Sequence, residues 1–453
     1  MAISKVPAEV LAEIFHLLCK KSILLRELNN SYCKEDFPWA VGLVCRQWRT
    51  AFLSYPPIWA SLKLSDGYYD TSRIQIPVTR SESYAKEINR RLALYLERSG
   101  EYPLTLDILL WSDHNKSFTM MALEMLSACS HRWQNAKFWL FRDWPVDGLL
   151  PCKGELPTLE WLDIRFSGNF KHTRGMFEVA PRLTHAYFGP WAKHYGWILP
   201  WTQLTALILR LNVDSVIENG DVPNLLPMLH NIKELRFRFD HADEMDFEGG
   251  FPQIAPTSLN QLRILEVPHP AFLSLFEAPS LCEIYFVDLQ QDYYAPLDVH
   301  GEISSLIQRS SCRIRKLSFR SSRKLYVGTL EDVEELVIDY PHFHGVCSSI
   351  DISSLPNLRL LTIICSIGGS FDASMSCLTT ALKSAIVPTR SERSSGTHVS
   401  LLERVIVGLH CDYEESTISK RFLEIAKETV KEIAKKIADE WPVVVVRTQR
   451  SEV

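Results

Sequence analysis

The sequence contains 453 residues, of which 46% are hydrophobic and 23% charged, so it is long enough for two or three domains with a large core. Its formal net charge of -5 argues against a general nucleic-acid binder, which normally carries a basic excess. Apolar runs such as Val443 to Val446 are too short to span a bilayer, and no basic segment followed by an apolar one opens the sequence. Because its 11 cysteines also contain no Cys-x-x-Cys pair, we expect a cytoplasmic or nuclear protein with reduced thiols and no membrane span.

Two short amphipathic helices are predicted near the N-terminus. In the first, Pro7 favours the initial turn, and the apolar residues recur at spacings of three and four: Val10, Leu11, Ile14, Phe15 and Leu18. The second repeats this pattern with Val41, Val44, Cys45 and Trp48 on its apolar side. An insertion from Cys19 to Asp36 separates them. Because two such helices make a very small core, we expect them to pack against a partner or the rest of the chain.

These helices resemble the F-box, in the F-box-like form common in mushroom-forming fungi. The resemblance is carried by Pro-x-Glu starting at Pro7, by Val-Cys-Arg-x-Trp-Arg over 44–49, and by Pro-x-x-Trp over 56–59. Leu-Glu-Arg-Ser-Gly and then Pro-Leu-Thr-Leu, within 96–106, are similar to the segment that follows the F-box in those proteins. Two departures are Val6, where the family usually has Leu, and the insertion, which lengthens the spacing between the helices.

The resemblance implies a substrate-recognition adaptor of an SCF-type cullin-RING ubiquitin ligase. In that family the F-box docks onto the Skp adaptor, and the repeats that follow bind a protein substrate. The implied docking residues are Pro7, Val10, Leu11, Ile14, Phe15, Val44, Cys45, Trp48 and Arg49. Such an adaptor has no catalytic group, metal or cofactor of its own, since it accelerates ubiquitin transfer by holding the substrate beside the charged carrier.

A helix and a strand are predicted between these motifs and the rest of the chain. The helix runs from Ser81 to Gly100, with a serine as its cap and the glycine as its end. In the strand over 104–110, leucine and isoleucine alternate with Thr105 and Asp107, so one face should be buried.

A short phrase then recurs through most of the chain, with apolar residues at its first, fourth and sixth positions. It first occurs at Trp133, Ala136 and Phe138, and its eleventh occurrence begins at Leu402, a mean spacing of about 27 residues. This spacing is typical of leucine-rich repeats, although the Asn of the strict repeat is absent. We predict an irregular solenoid of short parallel strands with helical or irregular returns. A β-sandwich with similarly spaced turns is the alternative.

The expected fold class is therefore α+β, in three parts. Residues 1–64 would form the F-box-like helical domain with its inserted loop at 19–36, and residues 65–410 the degenerate leucine-rich-repeat solenoid. Residues 411–453 would form a capping helix and a last strand, because 417–441 has one apolar face.

The residues between the inward positions would line the exposed face of the solenoid's sheet, which is the usual binding face of such a fold. Aromatic residues and arginines are enriched in protein-binding hot spots. The substrate-binding candidates are Trp161, Arg165, His185, Tyr187, Arg210, Arg236, Arg238, Tyr285, Lys316 and Arg320. Alternatively, these arginines stack on neighbouring rings and serve the sheet itself. The basic run from Arg313 to Lys324 could hold phosphate groups or form a solvated strand face.

Three hypotheses for function remain open. The chain is a ligase adaptor, or a repeat-based interaction module whose F-box-like helices act only as a cap, or an enzyme. For an enzyme, the segments 240–243 and 342–344 come nearest to metal-ligand clusters but lack a helical His-x-x-x-His spacing. The exposure of Val10, Ile14, Phe15 and Trp48 discriminates between the first two, because an open apolar patch favours docking and burial favours a cap.

Overall fold

The computed structural model describes most of the chain in segments. These are residues 6–19, 23–25, 41–65, 82–110, 116–141, 146–167, 174–191, 197–211, 221–239, 255–287, 297–320, 325–340, 355–367, 403–411, 428 and 444–449. The chain divides into two compact units, Met1–Leu211 and Asn212–Val453. Apart from Glu428, the helix predicted over 417–441 lies outside the described residues, as does the insertion apart from Cys19 and residues 23–25.

The first unit contains a parallel sheet whose strands follow the order of the chain. Each strand pairs in parallel with the next, as expected of a solenoid-like arrangement. The strands are β1 (Ile23–Leu25), β2 (Ser61–Ser65), β3 (Leu104–Leu110), β4 (Trp133–Phe141), β5 (Trp161–Ser167), β6 (His185–Trp191) and β7 (Ala206–Leu211).

Helices precede or connect the strands of the first unit. They are α1 (Ala8–Cys19), α2 (Val41–Val44), α3 (Arg46–Ser54), α4 (Pro56–Trp59), α5 (Glu82–Arg98) and α6 (Lys116–Ser127). Short 3-10 turns span Ser130–Arg132, Val146–Cys152 and Trp201–Gln203. Helix α5 ends where the sequence predicts, and Gly100 just beyond it has a φ of 51°, a conformation that glycine adopts without strain.

The second unit also combines helices with a parallel sheet. Its principal sheet contains β8 (Glu234–Phe239), β10 (Ile264–Val267), β12 (Glu283–Phe286), β14 (Lys316–Arg320), β16 (Glu335–Tyr340), β17 (Leu360–Ile367), β18 (Arg404–Cys411) and β19 (Val444–Gln449), in that order. Two small parallel pairs join β9 (Thr257–Ser258) to β11 (Phe276–Glu277) and β13 (Leu297–Asp298) to β15 (Leu325–Tyr326). Its helices are α7 (Asp221–Leu225) and α8 (His300–Ser310), with 3-10 turns at Leu226–Met228 and Pro270–Leu275.

The core of each unit is built from the phrase found in the sequence. In the first ten occurrences all three apolar positions are buried, from Trp133, Ala136 and Phe138 onward, and Val405 is buried in the eleventh. Neighbouring phrases stack because parallel pairing sets equivalent residues side by side, as with Phe286 against the ring of Phe319, whose centroids lie 5.2 Å apart. Mixed helix and parallel strand, the coarse fold expected from the sequence, is therefore confirmed.

A cluster of aromatic rings joins the N-terminal helices to the sheet of the first unit. Trp59, at the end of α4, is fully buried, and its ring centroid lies 4.9 Å from that of Phe52 and 5.0 Å from that of Tyr95 on α5. Its indole Nε1 donates to the Phe52 carbonyl at 3.1 Å, and the Arg98 guanidinium covers the ring at 4.6 Å. Strand β1, from within the predicted insertion, adds a further connection by pairing with β2.

None of the helices that the structure describes combines the length and the apolar character needed to cross a bilayer.

We expect Trp59→Ala to lower the free energy of unfolding by about 3–5 kcal/mol, because a large cavity would remain between Phe52 and Tyr95. Urea denaturation of the full chain, followed by circular dichroism, measures this change. Leu17→Ala, at an exposed position of α1, is the control and should change the value by less than about 0.5 kcal/mol. Equal stability of the two variants would contradict the packing of the helices on this cluster.

Candidate partner-binding surfaces

One side of helix α1 exposes apolar residues to solvent. Val10 and Ile14 are 48% and 44% exposed, and Leu17 and Leu18 are more exposed still. Their spacings of three and four put them on the same side of the helix. Large exposed apolar surfaces of this kind mark interaction sites in soluble proteins.

Helix α2 also exposes apolar residues to solvent. Leu43 and Val44 are 74% and 61% exposed at its C-terminal end. Immediately after them Cys45 is exposed, and its Sγ caps α3 by accepting a hydrogen bond from the Trp48 N–H at 3.5 Å. The exposed residues of α1 and α2 (Val10, Ile14, Leu17, Leu18, Leu43 and Val44) are referred to below as the apolar helical surface.

A neighbouring side of α1 packs inside the protein. Leu11 and Phe15 are buried, and the Phe15 ring lies 5.0 Å from the half-buried ring of Trp48 on α3, measured between centroids. The docking residues implied by the resemblance thus divide into two groups. Pro7, Val10, Ile14, Val44, Cys45 and Arg49 are exposed, whereas Leu11, Phe15 and largely Trp48 support the helices from within.

Polar contacts set the positions of these helices. The Tyr55 hydroxyl donates to Glu13 Oε1 at 2.5 Å, and this hydrogen bond raises the pKa of Tyr55 above its ordinary value. Arg49 Nε donates to the Gly42 carbonyl at 2.8 Å and ties α3 to α2. Gln47 Nε2 donates to the Val6 carbonyl at 3.1 Å, just ahead of α1. Arg49 therefore positions α2 even though much of its side chain is exposed.

The docking residues implied by the sequence omit three members of the apolar helical surface, Leu17, Leu18 and Leu43, although Leu18 was recognised as an apolar residue of the helix. Leu17 follows Ile14 at a spacing of three, so extending the helical period by one step would have found it. Leu43 carried no such signal, because α2 has only one turn and a period cannot be read from four residues.

The exposed face of the first unit's sheet carries a row of alternating charge. Parallel pairing aligns Lys63 with Asp107, Asp107 with Lys137, and Lys137 with Asp163. Asp107 forms ion pairs with both neighbours, with its carboxylate oxygens 3.7 Å from Lys63 Nζ and 3.5 Å from Lys137 Nζ. This row is therefore largely neutralised within the sheet.

The Arg165 side chain contacts other residues of the sheet. Its Nε and terminal nitrogen contact the two Asp163 carboxylate oxygens at 3.1 and 3.2 Å. Its guanidinium also lies 3.8 Å from the ring centre of Trp139 and 4.1 Å from that of Tyr187. Burial raises the pKa of Asp163, and the nearby Arg165 charge opposes that effect. For Arg165 and Tyr187, the geometry favours the alternative in which the arginine stacks on its neighbours.

The remaining candidates of the first unit are more open. Trp161 is half-exposed and pairs in register with His185, which is exposed and has its Nδ1 2.9 Å from Thr184 Oγ1. Arg210 lies against Gly189, where an added Cβ would come within 2.9 Å of the Arg210 Cβ, so the glycine makes room for this arginine. Trp139, which sequence reasoning omitted, directly follows an inward position, as Arg165 does, and the same rule would have found it.

In the second unit, the candidate cations are paired with acidic residues of their own or neighbouring strands. Glu266 is only 2% exposed and accepts from Arg236 at 2.6 Å and from Arg238 at 2.7 Å. Further pairs join Arg236 to Glu234, Lys316 Nζ to Glu335 at 2.9 Å, and Arg320 Nε to Asp339 at 3.6 Å, and the Tyr285 hydroxyl donates to Glu283 at 2.7 Å. Glu266, Glu335 and Asp339 lie 19–30 residues away in sequence from the cations they pair with, so only the strand register reveals these pairs.

Among the residues that the structure describes, no three His, Cys, Asp or Glu side chains converge as metal ligands would. The sequence clusters at 240–243 and 342–344 lie outside the described residues.

No protein-family model matches this chain, and no curated protein matches it either. The assignment of function therefore depends on the surfaces described above.

We expect Arg165→Ala to lower the free energy of unfolding by about 2–4 kcal/mol at pH 7, because it leaves the buried Asp163 carboxylate without its bidentate partner. Denaturant titration measures the loss. Arg182→Ala removes an exposed ion pair with Glu160 and should change the value by less than about 1 kcal/mol.

The loss of unfolding free energy caused by Arg165→Ala should become smaller as the pH falls from 7 toward 5. A carboxyl whose pKa is higher in the folded state than in the unfolded state destabilises the fold when ionised and stops doing so once protonated. In the Asp163→Asn background, which has no such carboxyl, the cost of adding Arg165→Ala should not vary with pH. A deficit of Arg165→Ala that is the same at both pH values would contradict the pairing.

Proposed function

We propose that this chain is the substrate-recognition adaptor of an SCF-type cullin-RING ubiquitin ligase, with its N-terminal helices acting as an F-box that docks onto the Skp adaptor. The observation that carries the proposal is the apolar helical surface, which coincides with part of the docking face implied by the sequence motifs. Under this proposal the protein acts in the cytoplasm, the nucleus or both.

The distribution of apolar residues around α1 supports docking. A helix at the surface of a protein usually has one apolar side, and a helix that is apolar on both sides is usually buried on both. In α1, Leu11 and Phe15 are buried within the unit, while Val10 and Ile14 remain exposed on another side. A partner with an apolar groove would complete the burial, as in other helix-in-groove complexes.

The attachment of the helices to the sheet supports the role of an adaptor. Phe15 and Trp48 join α1 to α3, and the Trp59 cluster joins α4 to α5. The apolar helical surface is therefore held at a set distance from the sheet of the first unit. A rigid connection lets an adaptor hold a substrate close to the ubiquitin carrier, which raises their effective concentration without any catalytic group.

The repeated phrase supports a solenoid of degenerate leucine-rich repeats as the substrate-binding part. Parallel strands in chain order and a buried first, fourth and sixth position are what such repeats require. Of the candidates on the exposed strand faces, Trp161 is half-exposed and His185 is exposed.

A second candidate function is a repeat-based interaction module in which the helices act only as a cap. It is favoured by the burial of Leu11, Phe15 and the Trp59 cluster, which shows that the helices cover apolar surface of their own unit. The two candidates differ in what they require of Val10, Ile14 and Val44, since a cap needs none of these to be exposed.

We expect the full chain to co-purify with the Skp adaptor, and Ile14→Asp or Val44→Asp to reduce the bound fraction at least tenfold. Each change places a charge in an apolar interface, where it would be desolvated without a partner. Both positions are exposed, so the fold should survive, as circular dichroism would verify. Val179→Asp is the matched control, because Val179 is an equally exposed valine outside these helices and should leave binding unchanged.

Absence of binding by the wild-type chain would contradict the ligase proposal and favour the cap. Equal loss of binding in Val179→Asp would indicate non-specific apolar association instead.

A further inference from the structure

We propose that Lys233, Arg263 and Arg315, termed here the basic rim, bind an acidic, extended peptide segment. These residues lie in the second unit, immediately before β8, β10 and β14, and all three are exposed. The inference rests on the proposed function in one respect, namely that the segment would belong to the substrate.

Backbone hydrogen bonds place the basic rim in a single row. The Arg263 N–H donates to the Lys233 carbonyl at 2.9 Å, the Cys282 N–H to the Arg263 carbonyl at 3.0 Å, and the Arg315 N–H to the Cys282 carbonyl at 2.9 Å. Neighbouring strands are about 4.8 Å apart, so the backbone positions of Lys233 and Arg315 are separated by about 14 Å.

The positive charges of the basic rim are not neutralised by the acidic side chains that the structure describes. In this unit several described acidic side chains pair with other cations, as Glu266 does with Arg236 and Glu335 with Lys316. Within the described ranges, no acidic side chain forms an ion pair with Lys233, Arg263 or Arg315. Positive charge therefore remains available at this edge of the sheet.

The fourth member of the row, Cys282, adds no negative charge. It is partly buried, and burial raises the pKa of its thiol, which stays neutral at physiological pH. The next position along the row is Glu334, whose N–H donates to the Arg315 carbonyl at 2.8 Å, and this glutamate marks the end of the basic rim.

The spacing of the charges favours a peptide with several carboxylates. In an extended peptide, alternate side chains project on the same side at intervals of about 6.7 Å, so carboxylates at the first, third and fifth positions span about 13 Å. This span matches the length of the basic rim. Three cations spread along a line complement a line of carboxylates better than a single compact anion, for which the donors would have to converge.

The basic rim could not be found from the contiguous basic run in the sequence. Within that run Lys316 and Arg320 are paired with Glu335 and Asp339. Only Arg315 belongs to the rim, and Lys233 and Arg263 come from segments that precede it by 82 and 52 residues.

Fluorescence anisotropy with the full chain tests the proposal. The probe is a labelled peptide with the core Glu-Ser-Glu-Ser-Glu, and the matched peptide has Gln at the three Glu positions. We expect the Glu peptide to bind at least tenfold more tightly, with an affinity that falls as the salt concentration rises. Arg263→Glu and, separately, Arg315→Glu should each weaken binding at least fivefold. Arg359→Glu, the same change at an exposed arginine beyond Glu334, should weaken it less than twofold.

Equal binding of the Glu and Gln peptides, or equal effects of Arg263→Glu and Arg359→Glu, would overturn the proposal. So would tighter binding of an RNA oligonucleotide or of anionic vesicles that the same rim variants abolish. Ile14→Asp should leave peptide binding intact, so failure of the acidic-peptide proposal can be told apart from failure of adaptor docking.

Discussion

The burial of Trp59 is the interaction on which the N-terminal part of this protein depends. Its ring lies between Phe52 and Tyr95 beneath the Arg98 guanidinium, and its indole N–H is hydrogen bonded to the Phe52 carbonyl. Two one-turn helices and two of modest length could not be stable by themselves. Joined to α5 through this cluster, they become an extension of the first unit's core. Helix α1 can then be held on one side only, which leaves the other side exposed for a partner.

Charge on the sheet faces follows a second constraint, which is the parallel register. Each exposed strand residue has a neighbour at the same level on the next strand, so an arginine is stable there when an acid or an aromatic ring stands beside it. Arg165 lies over the ring of Trp139 on the next strand, and Arg236 shares the buried Glu266 with Arg238. Residue types that favour binding in general are therefore used for the sheet itself. The candidate recognition surfaces therefore lie where the pairing is incomplete, at Trp161 and His185 or along the basic rim.

Much of the fold could be predicted from the sequence, because apolar periodicity determines which residues are buried. The positions at Trp133, Ala136 and Phe138, and their equivalents, are buried as expected, and the helix ending near Gly100 was predicted from its stop signal. The site was harder to predict. Periodicity identifies the apolar residues of α1 but does not say that Phe15 faces inward and Ile14 outward, since that depends on where α3 packs. Ion pairs across strands and the pairing of β1 depend on register between distant segments, which one sequence does not encode locally.

Amide hydrogen exchange of the full chain, with and without the Skp adaptor, tests the docking of the N-terminal helices, because it reports which backbone segments a partner covers or stabilises. Docking through the apolar helical surface predicts slower exchange in α1 and in residues 41–54 when the adaptor is present, with the exchange of β3 to β7 unchanged. Exchange in α1 that is the same with and without the adaptor, or slower exchange confined to the strands, would contradict it.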